Sequence, residues 1–211
     1  MAEQGGFEKL FSRVISLPMT NVDTDQIIPA KFLKTTTRSG LGKGLFWTWR
    51  KDPQFVLNRP EATGAEILLA GHNFGCGSSR EHAVWALMDS GFKAVLSSGF
   101  SDIFRNNAFK NGLLAAEIDQ PVAAELRAQI ERDPGSEILL DLEATLLVLP
   151  DGREASFRVD PFAQSCLLRG VDQLGYLGSH LPAIEVFEKA HECWIETTSA
   201  KHSEETDPAA S

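Results

Sequence analysis

The stretch from Gly71 to Leu87, GHNFGCGSSREHAVWAL, gathers residues able to do chemistry into one short segment. Gly75 and Gly77 lack the Cβ atoms that would hold a ligand away from the backbone. Ser78, followed three positions later by Glu81, reads as the capping box that opens a helix. The first-turn amides and the positive end of that helix would then face the loop. Arg80 adds a planar fork that matches a carboxylate or a phosphate. Three better-known loops are excluded by residue identity. A nucleophile elbow needs glycine where Arg80 stands, a P-loop needs a terminal Gly-Lys pair, and a dinucleotide fingerprint needs a third glycine. An ordinary strand–loop–helix join with a good cap fits the same residues.

The elements around the loop must position it. A buried strand over residues 66–70 precedes it and a helix over 79–90 follows. Upstream, residues 11–17 read as a strand, 21–25 (NVDTD) as a turn and 29–33 as one helical turn. Residues 35–60, without clear periodicity, form the kind of long segment that is functional or mobile. Downstream, strands are predicted over 93–98 and 113–118, with a helix over 101–111 between them, stopped by Gly112 as a left-handed cap. A helix over 121–132 follows, then strands over 137–142 and 145–149. Asp151-Gly152 signals a hairpin whose return strand covers 155–159. Residues 162–168 read as an apolar helix that buries Cys166. Residues 182–194 close the fold as a helix with Ile184, Phe187, Ala190, His191 and Trp194 on one face. The expected class is α/β: a mixed sheet with a parallel centre and flanking helices. Residues 1–196 form one domain, and 197–211 form a polar, acidic, disordered tail.

Composition narrows the function. At 211 residues the chain holds one substantial core and a small appendage. No apolar run is long enough to span a membrane and no secretory signal opens the chain, so a cytoplasmic location is expected. Cys76, Cys166 and Cys193 are odd in number and widely spaced, which argues against a disulfide scaffold and lacks the clustering of iron–sulfur ligands. A net charge of −9 disfavours nucleic acid and would repel an anionic substrate at long range. Any anion site must be built locally, from arginines and backbone amides.

Four separated motifs, NVDTDQIIPAKFLK, TRSGLG, NFGCGSSREHAVWAL and FSDIFRNNAFKNGLL, occur in an order that resembles the small subunits of 3-isopropylmalate dehydratase. These subunits correspond to the swivelling domain of aconitase, and the resemblance runs from about Phe7 to Trp194. It implies a β/β/α swivelling domain that works with a large subunit on a small dicarboxylate. The partner, not this chain, would carry a [4Fe–4S] cluster. The implied reaction converts 2-isopropylmalate to 3-isopropylmalate through isopropylmaleate, in leucine biosynthesis. By the same resemblance Ser78 is the base that removes a proton beside a carboxylate. Ser79, Arg80 and Arg38 bind substrate, and Asp25 lies at the active-site face. Sibling hydro-lyases acting on homoaconitate, citraconate or dimethylmalate remain as alternatives, as does a non-catalytic assembly module. Leu41, Leu45, Phe46, Trp47 and Trp49 are expected to wall an isopropyl pocket or to meet the large subunit. Cys76 is a loop filler or a reactive thiol, His82 a packing or capping residue in preference to a metal ligand or base, and Asp23 the residue that fixes the turn before Asp25. Asn73 touches substrate or braces the loop.

Overall fold

The computed structural model describes residues 6–34 and 37–191. Cys193, Trp194 and the expected acidic tail lie outside the described residues. Strand β1 (Lys9–Leu17) has two characters. Its first half, Lys9–Arg13, alternates in burial and pairs antiparallel with β5 (Glu137–Asp141). Its second half, Val14–Leu17, is nearly continuous in apolar burial and pairs in parallel with β2 (Ile67–Ala70). That change of pattern is the one expected where a strand passes from a one-sided to a two-sided environment. β3 (Ala94–Ser97) and β4 (Leu114–Glu117) extend the parallel run, and both are almost wholly buried. β6 (Leu146–Val148) and β7 (Glu154–Ser156) extend the antiparallel run, giving the order β4-β3-β2-β1-β5-β6-β7.

The sheet curls until its two edges meet. Directly after β7 the backbone of Arg158 exchanges two hydrogen bonds with Glu117 of β4, at 2.7 and 2.9 Å. The expected return strand over 155–159 therefore ends early, because Arg158 pairs with the opposite edge and not with β6.

One face of the sheet carries α2 (Glu81–Asp89), α3 (Asp102–Asn111) and the segment over 37–62. The other carries α4 (Gln120–Arg132) and part of α5 (Pro161–Arg169). Gly112 ends α3 in the left-handed conformation, as its sequence position predicts. The irregular segment is a chain of 3-10 turns fixed by the buried Leu41, Leu45, Phe46, Phe55 and Leu57. Arg50 ties it further, donating to the carbonyls of Leu45 and Leu57.

The C-terminal end departs from expectation. α6 (Gln173–Ser179), unsignalled because two glycines interrupt it, leads into α7 (Leu181–Ala190). Ile184 and Phe187, placed on one face of the predicted helix, are 41% and 60% exposed. No helix among the described residues is long and apolar enough to cross a membrane.

Candidate active site

The loops that follow β1, β2 and β3 leave the same edge of the sheet, at the carboxyl ends of the parallel strands, where open α/β sheets commonly bind ligands. Backbone hydrogen bonds join all three. Gly75 N–H donates to the Val22 carbonyl at 2.8 Å, and Thr24 N–H donates to the Cys76 carbonyl at 3.0 Å. Phe74 N–H donates to the Gly99 carbonyl at 3.1 Å, and Ser101 N–H donates back to the Phe74 carbonyl. The fully buried Ser97 reinforces the join through its hydroxyl, which reaches the carbonyls of Gly71 and Gly99 at 2.8 Å each.

Within this frame the glycines have different tasks. Gly75 lies at φ +75°, and a Cβ there would stand 2.3 Å from the ring of the buried Phe104. Its missing side chain makes room for the core and not for a ligand, which corrects the sequence reading. Gly77, at φ +90° on the exposed side, bends the chain just before Ser78.

Ser78 does not cap the helix. α2 begins only at Glu81, with Arg80 in extended conformation at the cap position and no side chain capping it. The bend at Gly77 and the hydrogen bond from Thr24 Oγ1 to the Ser78 carbonyl, 2.9 Å, hold Ser78 against the β1 loop and off the helix axis. Glu81, predicted to close the capping box, instead accepts from Nδ2 of the buried Asn111 at 2.7 Å. The hydroxyls of Ser78 and Ser79 are consequently exposed, and among the described residues no hydrogen bond engages either of them.

Arg80 is mostly buried and its Nη1 forms an ion pair with Asp25, whose side chain is largely exposed. That nitrogen has no directional hydrogen bond among the described residues. Asp25 itself sits in the short helix α1 (Thr24–Ile27), where Asp23 is the N-cap and shares a capping box with Gln26. Asp23 thus has the turn-fixing role its position suggested. Three of the predicted site residues, Ser78, Arg80 and Asp25, are brought together by these contacts, with Ser79 between them in the chain. Arg38 lies apart, exposed, with its guanidinium 5.6 Å from the ring centre of Trp85, one turn into α2.

The remaining candidates resolve into supporting parts. Asn73 and Asn21, both at positive φ, are joined by a side-chain hydrogen bond of 2.8 Å, so Asn73 braces the loop. Burial, and next the nearby Asp23 charge, push the Cys76 thiol up from its ordinary value, which disfavours a reactive thiolate. His82 packs on Trp85 with ring centres 4.6 Å apart. Leu41, Leu45 and Phe46 are core residues and cannot line an open pocket, whereas Trp47 is 38% exposed. Sequence reasoning missed Thr24, Ser97 and Asn111. Thr24 stands beside Asp25 in the same motif, but nothing local marks Ser97 or Asn111, which act across the fold.

A cluster does not fit the thiols described. Cys76 is in the loop and Cys166 is buried in α5. Among the described residues no three His, Cys, Asp or Glu side chains gather as a metal site would require.

Comparison with known proteins agrees with this architecture. The aconitase C-terminal domain family matches residues 5–121, which contain the parallel strands and the whole loop assembly. The 3-isopropylmalate dehydratase small subunit of Roseiflexus castenholzii is 54% identical over 193 residues, covering 89% of this chain and 95% of that protein. Its counterpart from Solibacter usitatus is 55% identical over 185 residues, covering 88% and 94%. Among solved structures, 3-isopropylmalate dehydratase from Methanocaldococcus jannaschii aligns with a TM-score of 0.65 and 27% identity, over 85% of this chain and 98% of that one. On the family match and on identity sustained over nearly the full length of these relatives, the chain belongs to the aconitase C-terminal domain family and, within it, to the small subunits of 3-isopropylmalate dehydratase.

Proposed function

We propose that this chain, paired with a large subunit, isomerises 2-isopropylmalate to 3-isopropylmalate by dehydration and rehydration, and that it supplies the base and the carboxylate anchors. The observation that carries the reading is the state of Ser78: an exposed hydroxyl, unused as a cap, held by its backbone beside Arg80. Moving a hydroxyl between adjacent carbons of a dicarboxylate requires removal of a weakly acidic C–H proton. Ser78 Oγ takes that proton, and the neighbouring guanidinium favours its anionic form. Arg80 grips the substrate carboxylate on the same side, while Asp25 orients the guanidinium. Arg38 on Trp85 anchors the second carboxylate, and Ser79 adds a hydroxyl contact. The departing hydroxyl needs a Lewis acid, which on this reading is a [4Fe–4S] cluster of the large subunit.

Replacing Ser78 by alanine separates this role from a structural one. Because Ser78 caps nothing, Ser78→Ala should melt within about 0.5 kcal/mol of the parent. Turnover by the assembled enzyme should fall roughly 10²–10⁴-fold, with substrate affinity largely kept. Near-parental isomerisation in a complex verified by size-exclusion chromatography would remove Ser78 from the mechanism.

A further inference from the structure

Charge in this chain is unevenly distributed. Residues 31–51 hold six of the 20 basic residues (Lys31, Lys34, Arg38, Lys43, Arg50 and Lys51) and none of the 29 acidic ones. Within a chain of net charge −9, this run of one sign concentrates positive charge in one segment, with Asp89 the acidic side chain bonded to it at Gly42. Arg50 is consumed internally: it donates to two backbone carbonyls, and burial lowers its pKa. The other five are exposed, and among the described residues none pairs with a carboxylate.

The segment also presents an aromatic surface on a fixed base. Trp47 is 38% exposed; Phe32 meets its ring edge-on at 5.4 Å, and Lys31 Nζ lies 3.7 Å from its centre. Beneath them, Phe46 is fully buried at φ +48° and stacks on Trp49 at 5.2 Å. Gly42 is held to α2, its N–H donating to Asp89 Oδ2 at 2.7 Å. An exposed tryptophan with a lysine over its ring, on a backbone anchored by buried aromatics, has the composition of a protein-interface hot spot. Cations left unpaired on such a surface call for an acidic counterpart.

We infer that residues 31–34 and 37–51 present a docking surface, centred on Trp47 and including the exposed Lys31, Lys43 and Lys51, for an acidic face of the large subunit. This inference rests on the proposed pairing with a large subunit but not on the identity of the base, so it can fail separately.

The test is the affinity of the full chain for the large subunit, measured by titration calorimetry between 50 and 500 mM NaCl. The parental Kd should weaken roughly tenfold or more across that range. Lys43→Glu/Lys51→Glu should weaken binding about tenfold or more at low salt and flatten the salt dependence. Trp47→Ala should weaken binding roughly 10–100-fold. Circular dichroism melts should match the parent in both variants. Parental affinity and parental salt dependence in both variants would overturn the inference. So would unchanged affinity with reduced kcat/KM in the assembled enzyme, which would make the surface a collector of the dicarboxylate. If the parental chain bound no large subunit at all, the functional reading would fall first and this inference with it.

Discussion

At Gly75 a single methyl group decides whether the loop can close. The position combines φ +75° with a ring 2.3 Å from where a Cβ would sit. Gly75→Ala should therefore cost about 1–3 kcal/mol from overpacking together with backbone strain. Trimming the ring in Gly75→Ala/Phe104→Leu should return part of that loss, leaving the strain. Denaturant unfolding of the two variants and of Phe104→Leu alone closes the cycle, and strict additivity would show that the two positions do not share the space. The same scale separates residues that look alike in sequence. Ser78, in the loop between β2 and α2, exposes its hydroxyl, whereas Ser97, the last residue of β3, spends its hydroxyl on two carbonyls. Only the first is free to meet a substrate.

Between elements, charged contacts lock the antiparallel half of the sheet at its exposed rim. Asp141, at the end of β5, accepts from Ala144 N–H and pairs with Lys9 of β1 at 3.0 Å. Those contacts hold its carboxyl below its ordinary value, the backbone hydrogen bond contributing most. Asp151, in the β6–β7 turn, is lowered chiefly by Arg153. Folded pKa values below the unfolded ones mean that the unfolded chain binds more protons on acidification. Their stabilisation is thus complete above the ordinary carboxylate range and is lost as pH falls from that range through the lowered folded values. An Asp141→Asn/Asp151→Asn variant should show a shallower fall in Tm between roughly pH 5 and pH 3 than the parent. Parallel slopes in thermal melts would assign acid sensitivity elsewhere. On the parallel side the locking is buried instead: Asn111 accepts from Trp85 Nε1 at 2.8 Å and donates to Glu81, so the end of α3 orients the start of α2.

For the molecule as a whole, the exposure of Ser78 and Ser79 accords with the proposed pairing with a large subunit. Ser78 and Ser79 lie open at the surface, and among the described residues nothing encloses them in the water-excluded cavity that would favour deprotonation of a weak C–H acid. The isolated chain should purify colourless, without stoichiometric iron or sulfide, and should isomerise isopropylmalate only after the large subunit is added. Iron and sulfide analysis with a reconstitution assay checks both halves of that expectation. Activity or a bound cluster in the single chain would contradict it.

The amino-acid sequence was enough to identify the strands and helices that carry the loop, because each is announced by a local pattern: apolar runs for β2–β4, Gly112 for the end of α3, Asp151-Gly152 for a turn. The segments around Asp25 and Ser78, singled out as motifs, are joined in the fold by the Arg80–Asp25 ion pair and the Thr24–Ser78 hydrogen bond. What the local pattern misread was the geometry between elements. The capping box at Ser78 and Glu81 was plausible as a string, but Asn111, distant in the chain, claims the Glu81 carboxylate, and the hydrogen bond from Thr24 to the Ser78 carbonyl holds the Ser78 backbone away from the helix start. Gly75 looked like space for a ligand and is space for Phe104, which arrives from the next helix. The meeting of the sheet edges at Glu117 and Arg158 has no local signal at all. In each case the deciding partner is brought in by the tertiary fold, and a polar group satisfied across the fold is no longer available for the role its neighbours in sequence propose.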